Sequence, residues 1–298
     1  EFYEFQSGGR LHIQSRVLPE DDRGSYQLSD VADYGPGQDG FWTLEGLESL
    51  VRDMITATDA GTQADGSADL SDYDDDDPLT YIIFAHAGSD WQSDIEQDTP
   101  NDIPTFFVTL GEPQAITGGE LSECSVIPET TNQDGAKGSI AAALYHEFGH
   151  ALGLPDVYDA TTGLTSCGVW DLMDSGTNLA ATLGYTDPES GELVGEPVTG
   201  ILPPSLSAWC KWFLGWVETD HVRGGDGQEV KLPAVGIPRD RYSIHNQVPG
   251  NALDASQPQV LLGGMSSREF FLLESRWVPE TVADTPYDPY DPETNYGG

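Results

Sequence analysis

Residues 146–150 read His146-Glu147-Phe148-Gly149-His150, and this pentapeptide constrains the chain more than any other feature. On an α-helix each residue advances about 100°, so His146 and His150 lie one turn apart on one face and both imidazoles can reach a single ion. Glu147 is offset from that line. It can contact a water on such an ion without filling a coordination position. Two neutral nitrogens to hold Zn2+, a water made acidic by the ion and a carboxylate to take its proton are what metal-assisted hydrolysis requires. Glu147 would then return the proton to a departing amine. The ordinary alternative is a surface helix carrying a chance histidine pair.

The flanking residues fit a site better than chance. Ser139 is a good N-cap for a helix starting at Ile140. After His150 the chain reads Ala151-Leu152-Gly153-Leu154-Pro155-Asp156. Gly153 can take the left-handed conformation that ends a helix, and Pro155 keeps it from resuming. The resulting turn carries Asp156 back toward the histidines. Zinc hydrolases usually present three protein ligands and one open position, which makes Asp156 the leading candidate for the third. Asp159 and Asp171 are its rivals, while Glu189 and Glu192 lie in a polar loop and are poorer candidates.

The segment from His146 to Asp159 resembles the signature of the immune inhibitor A family of secreted bacterial and archaeal zinc metallopeptidases. Trp170-Asp171-Leu172-Met173-Asp174-Ser175-Gly176 is similar to that family's methionine-containing turn, and Leu206 to Trp216 to its following helix. Ile82 to Gly88 looks like its strand before the active-site helix, and Glu269 to Arg276 like a later strand, so the similarity touches segments from about residue 69 to 276.

The resemblance implies an α+β, zincin-like (metzincin-like) metallopeptidase: one catalytic domain over 1–298. An N-terminal lobe, 1–153, would hold a mixed sheet and the active-site helix; a smaller C-terminal lobe, 154–298, would face it across a cleft and need not be complete at its end. It further implies a secreted zinc endopeptidase acting on protein or peptide substrates. Met173 would be a hydrophobic floor under the metal, and a propeptide is a candidate inhibitor. One departure stands out: where that branch commonly has an acidic residue two places before the tryptophan, this chain has Gly168. The alternative of a different class is a non-enzymatic extracellular or surface structural protein that has kept the scaffold. A zinc hydrolase of a non-peptide amide would share the same site.

Charge narrows the partners. With 51 acidic against 12 basic residues the 298-residue chain carries a formal charge of −39. Such a surface repels phosphate backbones and anionic lipid, which argues against nucleic-acid binding and membrane docking. No run of about 18 apolar residues is present, so no membrane-spanning helix is expected. A halophilic source, where salt screens the self-repulsion, or a calcium-rich exterior would each account for the acidity. The chain opens on Glu1 rather than methionine, which suggests a leader and propeptide removed, or an excised fragment.

Secondary sites are less sharply defined. Asp72, Asp74 and Asp76 alternate as a Ca2+ loop would require, with a solvated acidic loop as the plain alternative. Cys124, Cys167 and Cys210 form no disulfide framework: one bridge and a thiol, or three thiols, fit equally. His86, at a strand end, is a candidate cleft residue that is more often structural, and Tyr185 a candidate oxyanion stabiliser. The pattern predicts strands over Arg10–Val17, Leu79–Ala85, Thr105–Leu110, Ser125–Ile127 and Phe270–Leu273. It predicts helices over Phe41–Ala57 and Ser205–Gly215, the latter with Leu206, Trp209, Trp212 and Phe213 on an apolar side, and a polar insertion over Thr186–Thr199.

Overall fold

The computed structural model describes residues 1–19, 24–37, 40–65, 70, 73, 76, 78–188, 190–222, 227, 229–230, 232–233, 258–266 and 268–276. Its elements, in chain order, are α1 (Phe2–Gln6), α2 (Leu44–Asp65), β1 (Ile82–Ser89), β2 (Phe106–Ile116), β3 (Gly119–Thr130) and α3 (Ala141–Ala151). Then come β4 (Ala180–Thr186), β5 (Leu193–Thr199), α4 (Ala208–Phe213), β6 (Thr219–Val222), β7 (Val260–Gly264) and β8 (Phe270–Glu274). Helices and mixed sheets make this an α+β chain. No helix among the described residues is long and apolar enough to cross a membrane.

The chain divides into two compact units. One comprises residues 14–155 and 177–203, and its central sheet has the order β1-β3-β2, with β1 parallel and β2 antiparallel to β3. Side chains alternate across a strand, so register decides which residues share a face. Val108 lies opposite Cys124, and Phe106 opposite Val126, while Ile82 and Phe84 pair with Cys124 and Val126 from the other side. This face packs on Leu50, Val51, Met54 and Ile55 of α2 to form the main core. The opposite face carries Ser125 with its direct neighbour Phe107, and α3 lies against β2 and β3 there. Being covered on both sides, β3 is buried continuously from Cys124 to Glu129's neighbour Pro128.

Helix α2 runs later than its periodicity predicts. Thr43 sets the start, because its hydroxyl accepts the Gly46 N–H at 3.1 Å. Past Ala57 the apolar stripe fades, but Asp59 accepts the Thr117 N–H at 3.1 and 3.2 Å, and this tertiary bond anchors the final turns to β2 and its hairpin. The expected polar insertion is instead half of a hairpin, β4 against β5. The polar turn residues between the strands, Asp187 to Glu192, hid the pairing. The hairpin ends on Thr199 and Gly200, whose carbonyls accept the N–H groups of Ser139 and Ala142 at 2.8 and 3.1 Å. The N-terminus of α3 is thereby tied down. A side chain on Gly200, which has φ +73, would meet the Ser139 carbonyl at 2.8 Å.

The other unit comprises residues 1–13, 156–176 and 204–298. Here β6 and β7 run parallel, and β8 closes the sheet antiparallel to β7. Buried Gln6 of α1 accepts the Leu206 N–H at 3.2 Å and donates to Ser205 Oγ at 3.3 Å. The strand expected over Arg10–Val17 does not form: the segment is irregular, and Ile13 and Val17 are exposed. With no partner strand and no covered face, alternation alone does not make a strand. Helix α4 is shorter than expected because Ser207 caps it, its hydroxyl accepting the Cys210 N–H. Its aromatic residues are not all core either, since Trp212 is 36% and Phe213 52% exposed.

Candidate metal centre

Helix α3 begins where the sequence places it, within one residue. Ser139 Oγ accepts the Ala141 N–H at 3.2 Å, and the Ile140 carbonyl accepts the Leu144 N–H at 2.8 Å. Its end is a Schellman turn: Gly153 N–H bonds the His150 carbonyl at 2.8 Å and Leu154 N–H bonds the Gly149 carbonyl at 3.1 Å. Gly153 has φ +90, the left-handed conformation a β-carbon disfavours.

That turn does more than stop the helix. It aims the Leu154 carbonyl back at His150, whose Nδ1 lies 2.8 Å away. With Nδ1–H donating to this carbonyl, the imidazole is fixed in orientation and Nε2 is left with its lone pair for a ligand. The rings of His146 and His150 stand nearly perpendicular, 88° apart in plane with centroids 4.9 Å apart. His146 and Glu147 are both buried, at 7% exposure.

One ligand atom from each of His146, His150 and Asp156 lies within 4.8 Å of the others. Asp156 follows Pro155 immediately after the turn, so the local chain path supplies it. Two imidazoles and a carboxylate, with one imidazole oriented by a backbone carbonyl, are a donor set suited to Zn2+. The rivals are engaged differently. Asp159 is exposed and accepts the N–H groups of Thr161 and Thr162, which hold its carboxyl below the usual range. Asp171 is fully buried and accepts the N–H groups of Met173 and Ser207 at 3.1 and 3.2 Å.

Sheet residues support α3 from below. Tyr81 sits just before β1, and its hydroxyl is hydrogen-bonded to Ser125 Oγ and lies 3.5 Å from the Glu147 carbonyl oxygen. Its ring meets Phe148 edge-on at 5.7 Å and stacks with Phe107 at 6.4 Å, and Phe107 in turn lies 5.5 Å from the His150 ring. Burial pushes the Tyr81 phenol up, with the Glu147 charge adding to the effect and the Ser125 hydrogen bond opposing it. Tyr81, Phe107 and Ser125 were not singled out from the sequence. The signal that could have found them is strand period, which puts all three on one face only once the register is known.

The methionine-containing turn is ordered by carboxylates. Asp174 Oδ2 accepts N–H groups from Ser166, Cys167 and Gly168 at 2.6 to 3.1 Å, and Met173 is fully buried. His86 is buried with Nδ1 3.0 Å from its neighbour's carbonyl. The three cysteines are free thiols. Of the expected calcium trio, Asp72 and Asp74 lie outside the described residues and Asp76 is exposed. A different acidic group, Asp94, Asp98 and Asp134, brings carboxylate oxygens within 4.8 Å of one another. These oxygens already serve the local turn, Asp94 accepting from Asp98 and Thr99 and Asp134 from Glu96. The side chain of Tyr185 lies outside the described residues, as do Glu189 and the C-terminal run.

The chain is similar to known proteins over its central part. Residues 111–192 match the family described as immune inhibitor A peptidase M6, catalytic domain. Immune inhibitor A of Bacillus thuringiensis subsp. alesti is 28% identical over 234 residues, which cover 67% of this chain and 32% of that protein. The pre-pro-metalloprotease PrtV of Vibrio cholerae serotype O1, strain M66-2, is 24% identical over 241 residues, 72% of this chain and 23% of that protein. This chain therefore spans about a third or less of the relatives it matches. The resemblance read from the motif is borne out: the segment holding the His146, Glu147 and His150 helix is similar to the catalytic domain of the immune inhibitor A peptidases.

Proposed function

We propose that the chain is the catalytic part of a secreted, zinc-dependent endopeptidase with a zincin-type fold. The observation that carries this reading is the convergence of His146, His150 and Asp156 ligand atoms beside a buried Glu147. His146, His150 and Asp156 would hold Zn2+, which supplies a Lewis acid for the scissile carbonyl and a water acidic enough to act near neutral pH. Glu147 takes the proton from the attacking water and delivers it to the departing amine. The His150 and Leu154 contact keeps one ligand ring from rotating away. Protein or peptide substrates follow from the same reading, as does secretion.

The test is Glu147→Gln. The variant should bind zinc as the native chain does and lose cleavage of an unfolded protein substrate by about a thousandfold. Native protein should lose cleavage on treatment with a chelator and regain it with zinc. Unchanged cleavage by Glu147→Gln would refute the assigned base. Absence of any metal-dependent cleavage by the native protein would instead favour the non-enzymatic surface protein.

A further inference from the structure

We infer that Tyr81, held by Ser125, is a positioning residue for the general base Glu147, acting through the backbone of α3. The inference rests on the proposed hydrolytic reading for its kinetic consequence, but its structural content does not.

The register brings these groups together. Ser125 on β3 lies opposite Phe107 on β2 and beside Ile83 on β1, so the three share one sheet face. Tyr81 is two residues before Ile83 and therefore projects to the same side. This is the face that carries α3. From there the Tyr81 hydroxyl reaches Ser125 Oγ and, at 3.5 Å, the Glu147 carbonyl oxygen. A phenol has one proton, and a backbone carbonyl can only accept. With Tyr81 O–H donating to the Glu147 carbonyl, Ser125 O–H donates to Tyr81. The three groups form a directed chain from the central strand of the sheet to the backbone of the residue that carries the base.

The location gives the contact its leverage. A helix carbonyl normally accepts only the N–H four residues on, here that of Ala151. The Tyr81 hydroxyl is an additional donor, and it is anchored in the sheet rather than in the helix. It fixes the rotation and height of α3 at residue 147, while Phe107 and the ring of Tyr81 fill the space beneath Phe148 and His150. Catalytic groups must be held within a fraction of an ångström of their working geometry, and locked supporting side chains are what achieve this. The ring contacts alone would leave the helix free to slide over an apolar surface. The hydroxyl is directional.

Tyr81→Phe keeps the ring and removes only the hydroxyl, and Ser125→Ala removes its donor. In each variant kcat on a peptide substrate should fall about 10-fold with KM within about twofold of native, while zinc affinity by chelator competition holds, since no ligand is touched. The double variant should lose little more than either single one, as expected for members of one chain. Independently of turnover, amide exchange of Ala151 in the metal-free protein should quicken in both variants relative to amides elsewhere in the sheet. Native kcat in Tyr81→Phe, or unchanged Ala151 exchange, would overturn the inference. Should the native protein cleave nothing, the hydrolytic reading fails and the exchange measurement alone decides whether Tyr81 positions residue 147.

Discussion

His150 Nδ1 lies 2.8 Å from the carbonyl oxygen of Leu154, so the turn that ends α3 also orients one of the two histidines the helix presents. Helix termination and ligand orientation are one structural event here. Gly153, with φ +90, is the residue that permits it.

Gly153→Ala should therefore have two effects. Forcing a β-carbon into the left-handed region costs about 1 kcal/mol, readable as reduced resistance of the metal-free chain to urea. Relaxation of the turn should also withdraw the Leu154 carbonyl and weaken zinc binding about 10-fold. A loss of stability with native zinc affinity would show that the turn and the ligand are uncoupled.

The third ligand can be assigned by comparing two aspartates. Asp156→Ala should reduce zinc affinity by more than about a hundredfold, beyond the usual effect of losing a supporting partner. Asp159→Ala should leave zinc affinity unchanged, because that carboxylate is spent on the N–H groups of Thr161 and Thr162. Metal competition with a chromogenic chelator measures both, and the reverse ranking would reassign the ligand.

The site was far more legible in the sequence than the fold around it. Histidine spacing, the Gly153 stop and the Pro155 block are local signals, and local geometry alone brings ligand atoms of His146, His150 and Asp156 together as a candidate site. The strands β4 and β5 escaped because glycine in both and a proline in β5 interrupt the pattern, and they pair with each other. Arg10–Val17 misled for the converse reason, having alternation but no partner. Tyr81 and Ser125 lie 44 residues apart and meet only through the parallel pairing of β1 with β3. No window of sequence contains that information.

Asp174 should set part of the acid sensitivity. Burial alone would raise its pKa, but the N–H groups of Cys167, Ser166 and Ser175 outweigh it and hold the carboxyl below its ordinary range. A depressed pKa stabilises the fold above the unfolded value of about 3.9, and that contribution is lost as pH falls through the folded value. Asp174→Asn should therefore cost about 3 kcal/mol at neutral pH, since it turns a donor toward at least one of these N–H groups. The gap to native should begin to narrow as pH falls below about 3.9, where the unfolded carboxyl takes up its proton, and close toward the lower folded value. Urea unfolding at pH 7 and pH 3 tests this, and a gap independent of pH would contradict it.

Lys211 should act at the other end of the scale. It is almost fully buried in α4, and desolvation lowers its ammonium pKa from 10.5 to about 8, with Glu274 and Asp171 opposing that fall and Arg276 reinforcing it. Between these values the unfolded chain holds a proton that the folded chain has released, so stability rises with pH across this window. Below it both states are charged, and the folded state bears a penalty of about 3 kcal/mol. Lys211→Met retains the volume and removes the charge, so it should raise the melting temperature at pH 7 and abolish the rise in stability from pH 8 to 10. The partly buried ion pair of Glu274 with Arg276, 2.7 Å apart, remains in place in the variant. A lower melting temperature at pH 7 would mean that the attraction of Lys211 to Glu274 and Asp171 outweighs the cost of burying it.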